Sequence, residues 1–156
     1  MAAAKRSPVT GLINDLFHMA MEVQELYLRH CPFQDLSMSE MHVIEAISLE
    51  EEPTMTHVSN RLMVTMGTLT TAVSKIVEKG YIKKEKSQKD GRVYYLSLTA
   101  KGEQALAVHD SFHKKLEATI LDAFKNDDYE WIVQRLSLVL ERLREERNTY
   151  MKKSTE

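Results

Sequence analysis

The sequence predicts a mainly α-helical protein that contains one small antiparallel β-hairpin between its helices. Three observations support this fold class. Only five glycines and three prolines interrupt the 156 residues, and apolar residues recur at three- and four-residue spacing in most segments. In residues 82–98 the spacing changes to the alternation that is typical of strands. A chain of this length, 43% hydrophobic, suits one compact domain or a domain with an oligomerisation arm.

The first helix is predicted to begin at Ser7 and Pro8, a favourable cap and first position. It should run to about Cys31, where a proline follows. Its apolar stripe is too wide for one contact, so we expect the helix to bury two faces, as a helix inserted between subunits would. The stripe contains Leu12, Ile13, Leu16, Phe17, Met19, Ala20, Val23, Leu26 and Tyr27.

Two shorter helices are predicted next. Ser37 and Glu40 fit a capping box that starts the second helix. The third helix should start at about Thr56, after a proline-containing break. The side chains expected to face inward are Met41, Ile44 and Ile47 in the second helix and Val58 and Leu62 in the third.

Residues 65–80 predict a fourth helix with an apolar underside and a small, hydroxyl-rich outer face. Thr65 is suited to cap it and Gly80 to end it. Serine and threonine are modest helix formers, so helix stability does not explain this face. It suits either a helix that enters a DNA major groove or a solvated polar surface. The underside is Leu69, Val73, Ile76 and Val77, and the outer face is Met66, Gly67, Thr68, Thr70, Thr71, Ser74 and Lys75.

Two strands are predicted after the fourth helix, at residues 82–86 and 93–98. The segment between them contains Asp90-Gly91, a strong signal for a hairpin turn. Two helices joined by a turn of about three residues and followed by a hairpin with a basic tip form a winged helix-turn-helix. Lys89 and Arg92 at the tip favour DNA contact, with Arg92 in the minor groove. Protection of an edge strand by charge is the alternative.

Two long helices are predicted to complete the chain. Thr99 should cap a fifth helix that runs to about Lys125, and residues 127–130 should start a sixth. Its apolar stripe is Ile132, Leu136, Val139, Leu140 and Leu143. Together with the first helix, these exceed what a winged helix needs for its own core, so we predict a homodimer that reads two half-sites of a pseudo-palindromic duplex.

The predicted organisation is therefore a single chain, 1–156, with two regions. Residues 37–98 form the winged-helix DNA-binding region. Residues 8–31 and 99–152 form the helical dimerisation region.

The charge distribution agrees with a nucleic-acid partner although the net charge of −2 does not. Residues 61–101 contain nine basic and three acidic side chains, a net charge of +6. The rest of the chain then carries −8. A basic middle with acidic flanks is expected when one surface meets phosphate and the others should not.

The order of these elements resembles the MarR family of dimeric transcriptional regulators over essentially the whole chain. The residues that carry the resemblance are Asp90-Gly-Arg92 and Leu98-Thr-Ala-Lys-Gly102, which are similar to the D-x-R and L-T-x-K-G signatures of that family. The resemblance implies that Arg92 enters the minor groove and that Asp90 helps to hold the wing. It also implies that Thr68, Thr71, Ser74 and Lys75 face the major groove.

Three segments resemble the FabT-type branch of the family, which represses fatty-acid-synthesis genes. They are Leu62–Thr71, Ser39–Val43 and His109–Lys114. This resemblance implies a response to long-chain acyl groups on acyl carrier protein, which act as corepressor. The acyl chain would lie in an apolar tunnel beside the first helix, lined by Leu16, Phe17, Ala20, Val23, Phe33, Met41 and Ile44.

The histidines leave a metal-binding alternative open. His109 and His113 are four residues apart on one helix and share a face, as two zinc ligands would. With Glu25 and His42 they resemble the zinc-sensing branch of the family, whereas Met41 and Val108 stand where its second site would need carboxylates. The other interpretation is that the histidines pack and form hydrogen bonds, with no cofactor required.

No arrangement of catalytic residues in the sequence indicates an enzyme. The five glycines are isolated, so neither a P-loop nor a dinucleotide fingerprint is present. The lone Cys31 fits a small buried side chain in a reducing compartment, and the apolar runs are too short for a signal peptide or membrane span. We therefore expect a cytoplasmic protein without a membrane partner. A helical interaction module that never binds DNA is the alternative from another functional class.

Overall fold

The computed structural model describes residues 7–124 and 129–153. In these ranges the chain forms six helices and one two-stranded antiparallel sheet, which confirms the predicted fold class. The chain divides into two compact units, and the boundary follows Phe112 in the fifth helix. The elements are α1 (Pro8–Arg29), α2 (Met38–Ser48), α3 (Met55–Leu62), α4 (Met66–Glu78), β1 (Ile82–Lys86), β2 (Tyr94–Leu98), α5 (Ala100–Asp122) and α6 (Tyr129–Lys153).

Side-chain caps fix the starts of the short helices. At α2 the Glu40 amide donates to Ser37 Oγ at 3.3 Å, and the Ser37 amide donates to Glu40 Oε2 at 2.8 Å, which is the predicted capping box. At α3 the His57 amide donates to Thr54 Oγ1 at 3.2 Å. This helix therefore starts at Met55, one residue before the predicted position.

The ends of the long helices differ from their predicted positions. α1 ends at Arg29, because the His30 amide bonds to the Tyr27 carbonyl and tightens the last turn. Ser7 stands at the N-cap, but its side chain accepts no cap hydrogen bond. α5 ends at Asp122, before the expected Lys125, which lies outside the described residues. Residues 127 and 128, expected to start α6, also lie outside them.

The core of the first unit lies among α2, α3, α4 and the sheet. Buried side chains come from each of these elements and from the first turns of α5. Met41, Ile44, Ile47 and Val58 are buried as predicted, whereas Leu62 is only half-buried. The side chains with 0–1% exposure are Met41, Ile44, Val58, Leu69, Val73, Ile76, Tyr81, Leu96 and Ala105.

The wing also forms backbone hydrogen bonds with the segment that precedes α3. β1 and β2 pair in register from Ile82 opposite Leu98 to Lys86 opposite Tyr94. On the other edge of β2, the Leu96 amide donates to the Pro53 carbonyl at 2.8 Å, and Thr54 forms a bridge with Tyr95. The segment before α3 therefore holds the wing beside the helix-turn-helix.

The long helices α1 and α6 leave most of their apolar side chains exposed. On α1, Leu16 and Phe17 are 68% and 70% exposed, and on α6, Leu136 is 62% exposed. Ile132 is buried. In the described parts of the chain, no helix is both long and apolar enough to cross a membrane. These helices therefore carry apolar surface that the described residues do not cover.

Candidate nucleic-acid interface

A three-residue turn joins α3 to α4, as the sequence predicted. Met63 adopts the left-handed conformation, with φ +55°. The Val64 amide then bonds to the Ser59 carbonyl at 3.1 Å and the Met63 amide to the Asn60 carbonyl at 3.2 Å. These bonds close the end of α3 in the manner of a left-handed C-cap. The turn directs the chain into α4 within three residues.

Both ends of α4 are fixed by its own sequence. Thr65 Oγ1 accepts from the Thr68 amide at 3.2 Å and caps the first turn. At the other end Gly80 has φ +79°, and the Tyr81 amide bonds to the Ile76 carbonyl at 3.1 Å. This is a Schellman motif, in which glycine adopts a conformation that other residues rarely take. The helix therefore has a fixed length and direction.

The two faces of α4 differ as predicted, with one correction. Leu69, Val73 and Ile76 are buried at 0–1% exposure. Val77 was expected on the buried side but is 37% exposed, because it lies at the edge of the stripe and not at its centre. The side chains predicted to contact DNA on this helix are all exposed, namely Met66, Thr68, Thr70, Thr71, Ser74 and Lys75, as is Thr65 at its cap.

The hydroxyl groups of α4 bond to the helix itself. Each of three hydroxyls donates to the carbonyl four residues earlier, at 2.8–3.1 Å: Thr70 to Met66, Thr71 to Gly67 and Ser74 to Thr70. Thr65 Oγ1 and Thr68 Oγ1 lie 2.8 Å apart. Hydroxyl oxygens keep accepting lone pairs after they donate. The exposed face therefore presents hydrogen-bond acceptors and threonine methyl groups.

The tip of the wing extends Arg92 into solvent. Its side chain is 92% exposed, and Asp90 Oδ1 accepts from its backbone amide at 3.0 Å and from its Nε at 3.3 Å. The Val93 amide bonds to the Asp90 carbonyl at 3.0 Å and closes the turn. Gly91 does not have a positive φ. The hairpin is confirmed, but it uses a longer connection than a two-residue Asp-Gly turn, because residues 87–93 separate the strands.

One cleft of about 620 Å³ separates α3 and α4 from the wing. Its lining includes Met66 and Thr70 from α4, Lys84 from β1 and Arg92 from the tip of the wing. The Lys84 ammonium lies 4.6 Å from the centre of the Tyr94 ring. Three of the predicted DNA-contacting residues therefore share a cleft that the wing and the helix pair form together.

Three of the nine cations counted in the basic segment are paired with carboxylates outside it. Lys79 contacts Glu40 at 2.6 Å. Arg61 contacts Glu50 at 2.5 Å, and Lys101 lies 3.6 Å from Asp35. The net charge of the segment therefore overstates the positive surface. Among the described residues, the basic side chains of the segment that form no ion pair are Lys75, Lys83, Lys84, Lys86 and Lys89.

The structure disperses the residues predicted to line an acyl tunnel. Leu16, Phe17 and Val23 are exposed on α1, Ala20 and Phe33 are half-buried, and Met41 is in the core with Ile44. A groove of about 660 Å³ does follow the second half of α1 and the start of α2. It is lined by other residues, including Met21, Leu28, Leu36 and Met38.

The structure brings two of the four predicted metal ligands together. His42, Glu45 and His109 have potential ligand atoms within 4.8 Å of one another. Glu25 instead accepts from Arg29 at 2.7 Å, one turn away on α1. His113 lies beyond the unit boundary, exposed on α5. Glu45 was missed in the sequence, although its spacing of three residues from His42 places both on one face of α2.

Sequence reasoning also missed a polar cluster around Asp35, in the loop between α1 and α2. Asp35 Oδ1 accepts from the Tyr81 hydroxyl at 2.5 Å, and the Asp35 carbonyl accepts from Lys79 Nζ at 2.5 Å. The hydrogen bond from the Tyr81 hydroxyl lowers the pKa of Asp35. The pKa of Tyr81 is raised, first by burial and then by the bond to Asp35. Partners 44 and 46 residues apart leave no local signal in the sequence.

Known proteins are similar to this chain in both sequence and structure. Residues 26–107 match the family described as transcriptional regulator SarA/Rot. AdcR, a transcriptional regulator of Streptococcus pneumoniae, is 27% identical over 92 residues, which cover 58% of this chain and 62% of AdcR. The regulator SarZ of Staphylococcus haemolyticus is 30% identical over 87 residues, 56% of this chain and 59% of SarZ. The chain thus spans about three fifths of the length of these curated relatives.

Solved structures agree with these relatives. The S. pneumoniae FabT structure in complex with DNA has a TM-score of 0.82 and 32% identity, and the match covers 88% of this chain and 96% of FabT. The S. aureus MepR–DNA complex shares the fold, with a TM-score of 0.73 at 16% identity over 88% of this chain and 99% of MepR. The MarR-type architecture expected from the sequence is therefore confirmed, and the chain belongs to the SarA/Rot family of transcriptional regulators, with a MarR-type winged helix similar to that of FabT.

Proposed function

We propose that the chain is a DNA-binding repressor that acts as a homodimer on a pseudo-palindromic operator. One observation carries this proposal: Met66 and Thr70 of α4 and the exposed Arg92 of the wing line a single cleft in one compact unit. The similarity to FabT, whose structure contains DNA, supports it. The proposal contains no catalytic step, and it places the protein in the cytoplasm with the DNA that it would bind.

In this proposal α4 lies in the major groove and the wing lies along the backbone. Thr68, Thr71 and Ser74 would contact base edges, while Lys75 and Lys89 would neutralise phosphates. Thr65, Met66 and Thr70 would contact the groove wall near the start of the helix. Arg92 would enter the adjacent minor groove, with Asp90 holding its backbone in place. Each lost base contact would cost about 1–3 kcal/mol of specific binding.

The exposed apolar faces of α1 and α6 support the homodimer. A second copy that covered them would remove large apolar side chains from water, which favours association. It would also place two recognition helices in one particle, as two half-sites of a palindrome require.

The effector in this proposal is long-chain acyl-acyl carrier protein, and the regulated genes are those of fatty-acid synthesis. The support is the FabT-like recognition segment and the FabT similarity over 88% of the chain. The apolar side chains Leu16, Phe17, Ala20 and Val23 on α1 and the half-buried Phe33 remain the proposed contacts for the acyl chain, whereas Met41, which is 1% exposed in the core, is no longer among them. The exposed methionines Met19 and Met21 on the same helix have flexible side chains that suit such a ligand.

A gel-shift series tests the proposal. Wild-type protein is titrated into the duplex upstream of its own gene and into a scrambled duplex of equal composition, with and without palmitoyl-acyl carrier protein. We expect tighter binding to the upstream duplex, a further increase with the acylated carrier, and none with the unacylated carrier. Equal binding to both duplexes would contradict a specific operator in the upstream DNA. An absent or salt-insensitive mobility shift would favour the interaction module without DNA binding.

A zinc-responsive regulator is the second candidate, and the His42, Glu45 and His109 cluster favours it. His109 is only 4% exposed, and its Nε2 lies 3.7 Å from Glu45 Oε2. Two imidazoles and a carboxylate are a donor set that zinc accepts, at roughly 2.0–2.2 Å from each ligand atom. A small inward movement would bring all three into one coordination shell.

Metal analysis of purified protein after dialysis against zinc tests this candidate. The zinc proposal expects about one zinc per chain in the wild type, a stoichiometry set by one ligand cluster. The His109→Ala variant should lose it, whereas His57→Ala, which changes an exposed histidine outside the cluster, should not. Loss of zinc in neither variant would dismiss the cluster as a metal site.

A further inference from the structure

The loop between α1 and α2 contacts three separate parts of the DNA-binding unit through one residue. Asp35 Oδ1 accepts from the Tyr81 hydroxyl at 2.5 Å, and Oδ2 lies 3.6 Å from Lys101 Nζ. Its backbone carbonyl accepts from Lys79 Nζ at 2.5 Å. Lys79 is the C-cap of α4, Tyr81 immediately precedes β1, and Lys101 is in the first turn of α5.

The partners of Asp35 also contact one another. Lys101 Nζ donates to the Lys79 carbonyl at 3.0 Å and lies 3.9 Å from the centre of the Tyr81 ring. Lys79 Nζ donates to Glu40 Oε2 at 2.6 Å, and the same carboxylate caps the start of α2. The end of α4 is therefore joined to the start of α2 and to the first turn of α5 by hydrogen bonds and ion pairs.

The backbone of α5 at Gly102 lies directly against the backbone of Tyr81, which precedes β1. A Cβ atom added to Gly102 would lie 2.1 Å from the Tyr81 carbonyl oxygen. Thr99 Oγ1 lies 2.7 Å from the Gly80 carbonyl and 3.1 Å from that of Tyr81, and it accepts from the Gly102 amide at 3.1 Å. The segment 99–102 thus fixes the junction of α4 and the wing from the other side.

The ion pair between Asp35 and Lys101 does not explain this arrangement by its contribution to folding. The Asp35 and Lys101 side chains are 50% and 45% exposed, and ion pairs this exposed contribute little to folding. Tyr81 is fully buried by apolar neighbours, including Phe33 at 6.0 Å between ring centres. The polar contacts instead restrict direction, because they join the exit of the recognition helix to the entry of the wing. DNA recognition needs both elements at one fixed angle.

We propose that Asp35 is a positioning residue for DNA recognition: it holds the end of α4 and the start of the wing in the arrangement that lets both reach one duplex. The inference rests on the proposed function, because it assumes that α4 and the wing contact DNA. Asp35 itself would not contact the duplex. Its loss should therefore weaken specific binding without removing a phosphate contact.

The test compares variants on a duplex that wild-type protein selects from a random library and on a scrambled duplex. For Asp35→Ala we expect about a tenfold loss on the selected duplex, the size of one disturbed base contact. Binding to the scrambled duplex and the slope of log K against log salt should not change, because no phosphate contact is lost. Asp35→Asn keeps an oxygen that accepts from Tyr81, so it should lose less affinity. Glu51→Gln, an exposed change in the loop after α2, is the matched control.

Tyr81→Phe gives a second arm that keeps the aromatic ring and removes only the hydroxyl. It should weaken selected-duplex binding, and the double variant Asp35→Ala with Tyr81→Phe should be no weaker than Asp35→Ala alone. In protein labelled with 3-fluorotyrosine, the ¹⁹F resonance of Tyr81 should shift in Asp35→Ala and stay in Glu51→Gln, with or without DNA.

The outcomes separate the inference from the proposed function. If wild-type protein selects no duplex, the proposed function fails and this inference fails with it. If wild-type protein selects a duplex and both Asp35→Ala and Tyr81→Phe bind that duplex as tightly as the wild type does, only the positioning role is overturned. A change in the salt slope would also overturn it, since Asp35 would then influence phosphate contacts directly.

Discussion

The winged-helix region of residues 37–98, the head, and the helix α1 differ in how their apolar residues are buried, although both belong to the same compact unit. In the head, Val58, Val73 and Ile76 are completely buried by the chain's own elements. On α1, Leu12 and Phe17 are 63% and 70% exposed. The head therefore completes its core within one chain, whereas α1 carries apolar side chains that nothing in the described chain covers.

This difference separates two tasks. A complete core fixes α4 and the wing relative to each other, as a reading surface requires. Uncovered apolar stripes on long helices are suited to association, and α6 shows the same pattern with Leu136 and Leu143. Substitutions in the head should therefore change folding and reading, while those on α1 should change assembly.

The largest effect is expected in the head core. Ile76→Ala should lower the free energy of unfolding by about 2–5 kcal/mol, because it removes a fully buried side chain and leaves a cavity. Leu49→Ala, at a position that is 58% exposed, should change it by less than about 0.5 kcal/mol. Urea unfolding followed by circular dichroism measures both. Similar losses would mean that the head core is not what holds the unit together.

A charge on α1 should act on assembly instead. In the proposed homodimer, Leu12→Glu should raise the dissociation constant about 100-fold, because an unpaired charge buried at an interface costs roughly 3 kcal/mol. Thr10→Glu, which adds the same charge to an exposed polar position, is the control. Sedimentation equilibrium reads the change, and unaltered dimerisation of Leu12→Glu would exclude this part of α1 from the interface.

The wing offers a smaller effect on binding alone. Arg92→Ala should weaken binding to every duplex about tenfold and reduce the slope of log K against log salt by about one. Arg29→Ala removes a cation that is paired with Glu25 on α1 and should leave both quantities unchanged. Fluorescence anisotropy over a range of salt concentrations distinguishes them. An unchanged slope for Arg92→Ala would leave the wing without a role in DNA contact.

Substitution by alanine should change the free energy of unfolding in opposite directions at Gly80 and Gly67, the two glycines of residues 65–80. Gly80→Ala should cost about 1 kcal/mol of folding free energy, since alanine is strained at φ +79°. Gly67→Ala should raise the folding stability by about 0.5 kcal/mol, because the added Cβ would meet only Thr65 Oγ1, at an ordinary 3.9 Å, and alanine is favoured in a helix. Thermal unfolding measured on both variants gives the comparison, and equal signs would contradict the assigned end of α4.

Acid should destabilise the protein through the carboxyl groups of Asp35 and Glu40. The hydrogen bond from Tyr81 lowers the pKa of Asp35; burial raises that of Glu40, but Lys79 and the Ser37 amide outweigh burial and lower it. Because the folded-state pKa values lie below the unfolded values near 3.8 and 4.5, these carboxylates add stability above that range and lose it as pH falls further. Lys79→Met should flatten the fall, measured as the urea midpoint between pH 6 and about pH 3. An equally steep fall in the variant would exclude Lys79 as its cause.

Local signals account for the features that the sequence predicted well. The capping box of Ser37 and Glu40, the cap at Thr65 and the stop at Gly80 each act within a few residues, so their spacing is sufficient. The apolar periodicity of α4 likewise identified Leu69 as buried. Element order could then be read directly, and with it the family resemblance.

Features that depend on residues distant in sequence were not predicted. The pairing of Lys79 with Glu40 crosses 39 residues, and the bond from Tyr81 to Asp35 crosses 46. The basic segment appeared more positive than its surface is for the same reason. Glu45 belongs to the cluster with His42 and His109 because His109 of α5 lies beside these two α2 residues, which periodicity within one helix does not reveal.

The hydroxyl hydrogens of α4 have a consequence for substitutions on its exposed face. Since Thr70, Thr71 and Ser74 satisfy their donors within the helix, a change between serine and threonine adds or removes one methyl group and leaves the backbone bonds in place. A methyl group is also what distinguishes thymine in the major groove. In the proposed complex, exchanges between serine and threonine on α4 would therefore alter base contacts by one methyl group at a time, while the helix keeps its backbone hydrogen bonds.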